Sequence, residues 1–191
     1  MPSSKLTADV AALTAKITVL KKTEFRDETT LLVERAQIHE VCRIAKEELG
    51  YTYLLDISGV DNFGEDPRFA LVYELYQFER GDWLRLKILV SEDDLHVPTV
   101  SDLWATADWH EREAYDMYGF QFTGHNDLRR ILMWDGYPFY PLRKDFPLAG
   151  RASDMPDVAF SRKAPLEGGP FVTVPTTATA KDREPRSRQI E

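Results

Sequence analysis

Between Tyr51 and Val90 the chain writes three strand patterns in succession, and no other stretch restricts its fold so tightly. In the last of them Trp83, Leu84, Leu86, Ile88 and Val90 are interleaved with Arg85 and Lys87, an alternation that sorts apolar and charged side chains onto opposite faces of a strand. Phe69 to Phe78 and Tyr51 to Val60 supply the other two runs. The first run turns at Asp61-Asn62-Phe63-Gly64, and Glu79-Arg80-Gly81-Asp82 joins the second to the third with a connection of hairpin length. Such links imply mostly antiparallel pairing, with one sheet face on helices and the other partly wet. Thr29 to Glu34 reads as a further strand ahead of them.

Helices must cover the apolar face. Ile38, Val41, Cys42, Ala45 and Leu49 fall on one helical stripe, which Gly50 ends. An earlier, peripheral helix is expected around Val10, Leu13 and Ile17, capped by Thr7 or Asp9. Two short helices should follow the sheet, because Thr99 with Asp102 and Asp108 with Glu111 have the spacing of reciprocal caps; Gly119 closes the second. Together these elements predict an α+β domain over residues 1–122, a small mostly antiparallel sheet packed with helices. A chain of 191 residues holds one such core and a substantial appendage.

The appendage has its own character. From residue 123 to 175 Gly, Pro and aromatic residues interrupt one another, most densely in Asp135-Gly136-Tyr137-Pro138-Phe139-Tyr140-Pro141, so no regular period survives. Its Trp, Tyr, Phe and Leu content is wrong for a solvated linker. An extended arm that docks on a partner is the expectation, followed by a polar, disordered tail over residues 176–191.

Composition removes several classes of function. Cys42 is the only cysteine, so no disulfide closes within the chain, a cysteine-based zinc or iron–sulfur site lacks its other ligands, and a reducing compartment fits. No run approaches the roughly 20 apolar residues that span a bilayer, and Met1 to Thr7 lacks the apolar centre of a signal peptide. With 24 Lys and Arg against 32 Asp and Glu, the net charge of −8 argues against phosphate-driven nucleic-acid binding. Locally the balance reverses: Leu128 to Arg151 carries Arg129, Arg130, Arg143, Lys144 and Arg151 against only Asp135 and Asp145.

The densest polar cluster is His110-Glu111-Arg112-Glu113, followed by Tyr115, Asp116 and His125. His110-Glu111 opens like a zinc-protease helix, but the second histidine would have to stand where Ala114 does. A looser metal site from Glu113, Asp116 and His125 is the competing reading, and a cap at Glu111 with an Asp108–Arg112 pair is the plainer one. Arg129, Arg130, Arg143 and Lys144 are an anion site, a solvated face or a docking surface. Docking accounts for the Leu128, Ile131, Leu132, Met133 and Trp134 among them as well as for the charges. Cys42 lies on an apolar stripe, and neither a Gly-x-Ser-x-Gly elbow nor a nucleotide-binding glycine loop is present.

The run Glu-Arg-Glu-Ala-Tyr-Asp-Met-Tyr-Gly-Phe-Gln-Phe-Thr-Gly-His-Asn-Asp-Leu-Arg-Arg-Ile-Leu, from Glu111 to Leu132, resembles the signature of the thirty-kilodalton subunit family of NADH-quinone oxidoreductase, respiratory complex I. Pro141-Leu142-Arg143-Lys144-Asp145-Phe146-Pro147-Leu148 is similar to the family's second hallmark, and the fit runs from about Gln37 to Leu148. Two departures stand out: Asn126 replaces the family's Pro after the histidine, and Phe139-Tyr140 replaces a Gly-His.

The resemblance implies a subunit of the peripheral arm of a proton-translocating NADH:quinone oxidoreductase. It makes Glu111, Arg112, Glu113, Asp116, Gly119, His125, Asp127, Arg129, Arg130, Pro141, Arg143, Lys144 and Asp145 signature and partner-interface residues, with no catalytic, cofactor or metal site among them. FMN and iron–sulfur clusters are then expected in partner subunits. The arm would lie on the quinone-site subunit, the D component of the complex, with the B and I components nearby, on the cytoplasmic side of the bacterial inner membrane. The equivalent subunit of a membrane-bound hydrogenase, or of a dehydrogenase fed by ferredoxin or reduced deazaflavin, is the alternative. A stand-alone metal-dependent hydrolase is a third reading.

Overall fold

The computed structural model describes residues 4–26 and 28–148, together with the strand segments Val158–Ala159 and Arg162–Lys163. The chain divides into two compact units, Met1–Arg143 and Lys144–Glu191. In the second, residues 144–148 form neither helix nor strand, and the two short segments pair antiparallel. The expected tail over 176–191 and most of the arm beyond Leu148 lie outside the described residues.

The first unit is α+β. Its elements run α1 (Ser4–Lys16), β1 (Val19–Phe25), β2 (Glu28–Val33), a 3-10 turn at Arg35–Gln37, α2 (Ile38–Glu47), β3 (Tyr53–Asp61), β4 (Phe69–Gln77), β5 (Asp82–Val90), β6 (His96–Pro98), α3 (Ala107–Tyr118) and β7 (Gln121–Thr123). Five strands make one sheet in the order β1-β2-β5-β4-β3, antiparallel except where β2 pairs with β5. That parallel contact follows from connectivity: α2 carries the chain from β2 to the far edge, and the β3-β4-β5 meander returns it beside β2. A separate parallel pair, β6 with β7, flanks α3 on both sides in sequence.

The three alternating runs become β3, β4 and β5. Leu84, Leu86, Ile88 and Val90 are buried, while Trp83 is exposed and Arg85 and Lys87 are half-buried. Ile38, Val41, Cys42, Ile44 and Ala45 of α2 form the covering stripe, and each large aliphatic buried there contributes roughly 1.5–3 kcal/mol. Burial pushes the Cys42 thiol far above its ordinary range, which fits a packing residue better than a nucleophile.

The first helix, the edge of the sheet and the segment after β6 differ from the sequence expectation. The first helix begins at Ser4, so Thr7 and Asp9 are not its caps, and it is not peripheral: Leu6, Val10, Leu13 and Ile17 belong to the main core. Asp9 instead receives the Arg80 guanidinium and the Tyr51 hydroxyl, the latter at 3.2 Å, tying α1 to the β4–β5 turn. β1 is an addition to the expected strands, because as an edge strand exposed along nearly all its length it shows no apolar alternation; its Lys21, Lys22 and Glu24 suit an edge that must not recruit other strands. Thr99 and Asp102 do not open a helix. Residues 101–103 form a turn, in which the Thr99 hydroxyl accepts a bond from the Ser101 amide at 3.1 Å.

Candidate functional site

α3 is the element on which the signature residues converge. It ends because Gly119, at φ 90°, takes the left-handed conformation that a residue with a Cβ avoids, and the Gly119 amide donates to the Tyr115 carbonyl at 2.8 Å. Space demands glycine there too, since a Cβ would lie 2.8 Å from both Arg143 Nη2 and Tyr140 Cζ.

Glu111 does not cap α3. Its buried carboxylate reaches back to the loop after β6, accepting bonds from the Thr99 hydroxyl and from the Val100 amide at 2.7 Å. Burial raises its pKa to about 7, against the opposing pull of those two bonds. Arg112 is also buried. It donates to the carbonyl of Arg129 at 3.2 Å and to that of Arg130 at 3.5 Å, lies 5.0 Å from the exposed Trp109 ring and meets the expected partner Asp108 at 4.0 Å.

Asp116 is the centre of the arrangement. Its Oδ2 accepts the backbone amides of Ile131, Leu132 and Met133 at 3.1, 2.7 and 2.8 Å, while Arg130 Nη1 donates to Oδ1 at 2.5 Å. A fully buried carboxylate thus replaces the ladder that residues 130–133 lack. The Arg130 guanidinium also lies near the rings of Tyr115, Tyr137 and Tyr140 at 5.8, 5.7 and 5.1 Å.

The other two fastenings are at the ends. His125, its side chain fully buried, accepts the Asp127 amide at Nδ1 (3.1 Å), which leaves Nε2 to donate to Asp108 at 3.3 Å. Arg143 Nε donates to the Tyr118 carbonyl at 2.7 Å, where a cation suits the negative end of α3, and stacks on Tyr140 at 4.5 Å. Leu142 adds an amide bond to the Met117 carbonyl at 3.2 Å.

The structure therefore brings together Glu111, Arg112, Asp116, Gly119, His125, Arg130 and Arg143. Glu113 and Arg129 face outward, Arg129 pairing with the exposed Asp127 at 2.8 Å; Pro141 is half-buried, and Lys144 and Asp145 belong to the second unit. The Glu113–Asp116–His125 metal reading loses its geometry: Asp116 is filled by protein donors and His125 by Asp108 and Asp127. The roles of Thr99, Tyr118, Tyr137 and Tyr140 are not legible in the sequence. The only hint is the spacing of tyrosines near arginines, and Tyr140, a departure from the family pattern, is the ring that Arg130 and Arg143 share.

The family model for the respiratory-chain NADH dehydrogenase 30 Kd subunit matches residues 31–152, which contain the whole of this arrangement. The chain belongs to that family. An NADH-quinone oxidoreductase subunit of Geotalea uraniireducens is 47% identical over 132 residues, 69% of this chain and 80% of the relative. The solved trypsin-resistant fragment of Nqo5 superimposes with a TM-score of 0.57 at 30% identity, covering 65% of this chain and 99% of the fragment. A chain of the membrane-bound sulfane sulfur reductase, an archaeal respiratory membrane complex, superimposes with a TM-score of 0.67 at 27% identity, covering 76% of this chain and 87% of that one. The chain is thus one subunit of a family found in respiratory membrane complexes. Among its described residues no helix is long and apolar enough to cross a membrane.

Proposed function

We propose that this chain is a structural and assembly subunit of the peripheral arm of a proton-translocating NADH:quinone oxidoreductase, docking on the quinone-site subunit near the B and I components of the complex. Electrons would pass from NADH through FMN and iron–sulfur clusters of other subunits to quinone, on the cytoplasmic side of the inner membrane. This chain would bind none of those groups. Its contribution is geometric, a rigid neighbour for the subunit that receives quinone.

One observation carries the reading. The buried charges of the family signature are engaged by groups of the same chain, and they hold residues 128–143 as a formed surface from which Leu132 and Leu142 project, 57% and 50% exposed; Trp109 on α3 is 61% exposed. Exposed apolar residues on a fixed, irregular backbone suit contact with another protein better than contact with water.

Affinity purification of the tagged chain from membranes tests the proposal. Recovery of the quinone-site subunit and the NADH-binding flavoprotein subunits is expected; recovery of a nickel–iron large subunit in their place would move the chain to the second reading. The likeness to the sulfane sulfur reductase chain favours keeping that reading, a related complex with a different electron donor or acceptor. Arg129→Ala should weaken assembly and quinone reductase activity together, and normal assembly with selective loss of electron transfer would contradict a purely structural role.

A further inference from the structure

α3 and its first turn carry four acidic residues, and three of them are engaged within the chain: Asp108 by His125, Glu111 by Thr99 and Val100, and Asp116 by Arg130 and three amides. Glu113 is the exception. It is exposed, and among the described residues no hydrogen bond or ion pair engages its carboxylate. It lines a cleft between α3 and β3 together with Asp56, Ser58, Met117, Tyr118 and Leu142.

The cleft is built rather than incidental. Gly59 of β3 abuts Tyr118 so closely that a Cβ there would lie 2.5 Å from the ring, and the Leu142 amide is bonded to the Met117 carbonyl at 3.2 Å, so both walls are fixed in advance. Asp56 adds a second carboxylate, held by Ser58 and by His110 at 3.2 Å. The cleft thus offers an unpaired carboxylate beside an apolar wall on which Leu142 is half exposed.

We infer that this cleft receives an arginine side chain of the neighbouring polypeptide, its guanidinium on Glu113 with Asp56 behind and its aliphatic stem along Met117 and Leu142. The inference rests on the docking proposed above and names the chemistry of the partner's contact. A planar guanidinium matches one carboxylate in bidentate fashion and still has donors for the hydroxyls of Tyr118 and Ser58. Its stem needs an apolar surface, which Met117 and Leu142 supply. Arginine is also the charged residue enriched at the energetic centres of protein interfaces.

The test uses the full complex purified from membranes. Because Glu113 has no partner among the described residues, Glu113→Lys and Glu113→Gln should leave the melting temperature of the isolated full chain unchanged. In the complex, Glu113→Lys should speed dissociation of this chain by about tenfold or more, with Glu113→Gln intermediate. Photo-crosslinking from benzoylphenylalanine at Leu142 should map to a partner peptide containing an arginine, and Arg→Glu at that position should restore retention of the Glu113→Lys chain. Wild-type retention of Glu113→Lys in a complex that still contains the quinone-site subunit would overturn the inference and leave the docking proposal standing. So would a crosslinked peptide without arginine, or a lowered melting temperature of either isolated variant. Absence of the quinone-site subunit from the wild-type preparation would sink the docking proposal and this inference with it.

Discussion

The five-stranded sheet and the segment from Gly124 to Arg143 solve the same problem by different means. In the sheet, β4 and β5 pair along their full length, so each backbone group finds its partner through repetition, and the side chains are free to be aliphatic. The returning segment has no helix or strand, so its amides and carbonyls depend on individual side chains of α3: Asp116 for the amides of 131–133, Arg112 for the carbonyls of 129 and 130. Regular structure tolerates many substitutions of similar volume. A segment held by named charges does not, and that contrast explains why a family signature rich in Glu, Arg and Asp need not be an active site.

Removing the central charge should release the irregular segment with the largest loss of stability. Asp116→Ala removes the carboxylate that the largely buried Arg130 side chain pairs with and the acceptor of three part-buried amides, leaving Arg130 only the main-chain carbonyl of residue 116; the expected loss is roughly 3–5 kcal/mol, the range for breaking a buried ion pair. Urea unfolding of the isolated chain would show it, and trypsin should then cut after Arg129 and Arg130 while the sheet survives. If the sheet unfolds in the same step, the two regions are a single cooperative unit.

Glu111 gives the next effect, and it depends on pH. Its folded pKa of about 7 lies above the ordinary value of 4.5, so the folded state favours the protonated form. The associated stability is fully present below pH 4.5 and is lost as pH rises through about 7, a change on the order of 3 kcal/mol. Denaturant midpoints of wild type should fall over that window, and the difference between wild type and Glu111→Gln should shrink toward acid pH. A pH-independent difference would show that Glu111 does not titrate there.

Gly119→Ala should cost about 2 kcal/mol, because a side chain is forced into the left-handed region against Tyr140 and Arg143. Thermal melts check it, and an unchanged melting temperature would mean that the end of the segment shifts freely. The smallest effect belongs to Arg129→Ala, less than about 0.5 kcal/mol in the isolated chain, because its ion pair with Asp127 is exposed on both sides. A larger loss would mean that Arg129 supports the segment from within.

What can be read from the sequence follows the same division. The meander, the α2 stripe and the stops at Gly50 and Gly119 are legible because alternation, helical spacing and glycine chemistry are local. β1 is hidden because an edge strand wet along most of its length carries no alternation. Thr99-Asp102 and Asp108-Glu111 match a capping pattern, but Glu111 bonds to Thr99 and Val100, a pairing created by β6 lying beside β7. Asp116 and Arg130 stand 14 positions apart across an irregular loop, so their resemblance to a family motif is visible while their physical task is not.

Amide hydrogen exchange at Ile131, Leu132 and Met133 addresses the claim that one buried carboxylate organises this surface before any partner arrives. Exchange should be slow at all three in the isolated full chain, and near-free in Asp116→Ala with β4 and β5 still protected. Fast exchange in the isolated wild-type chain, or protection that survives the substitution, would contradict it.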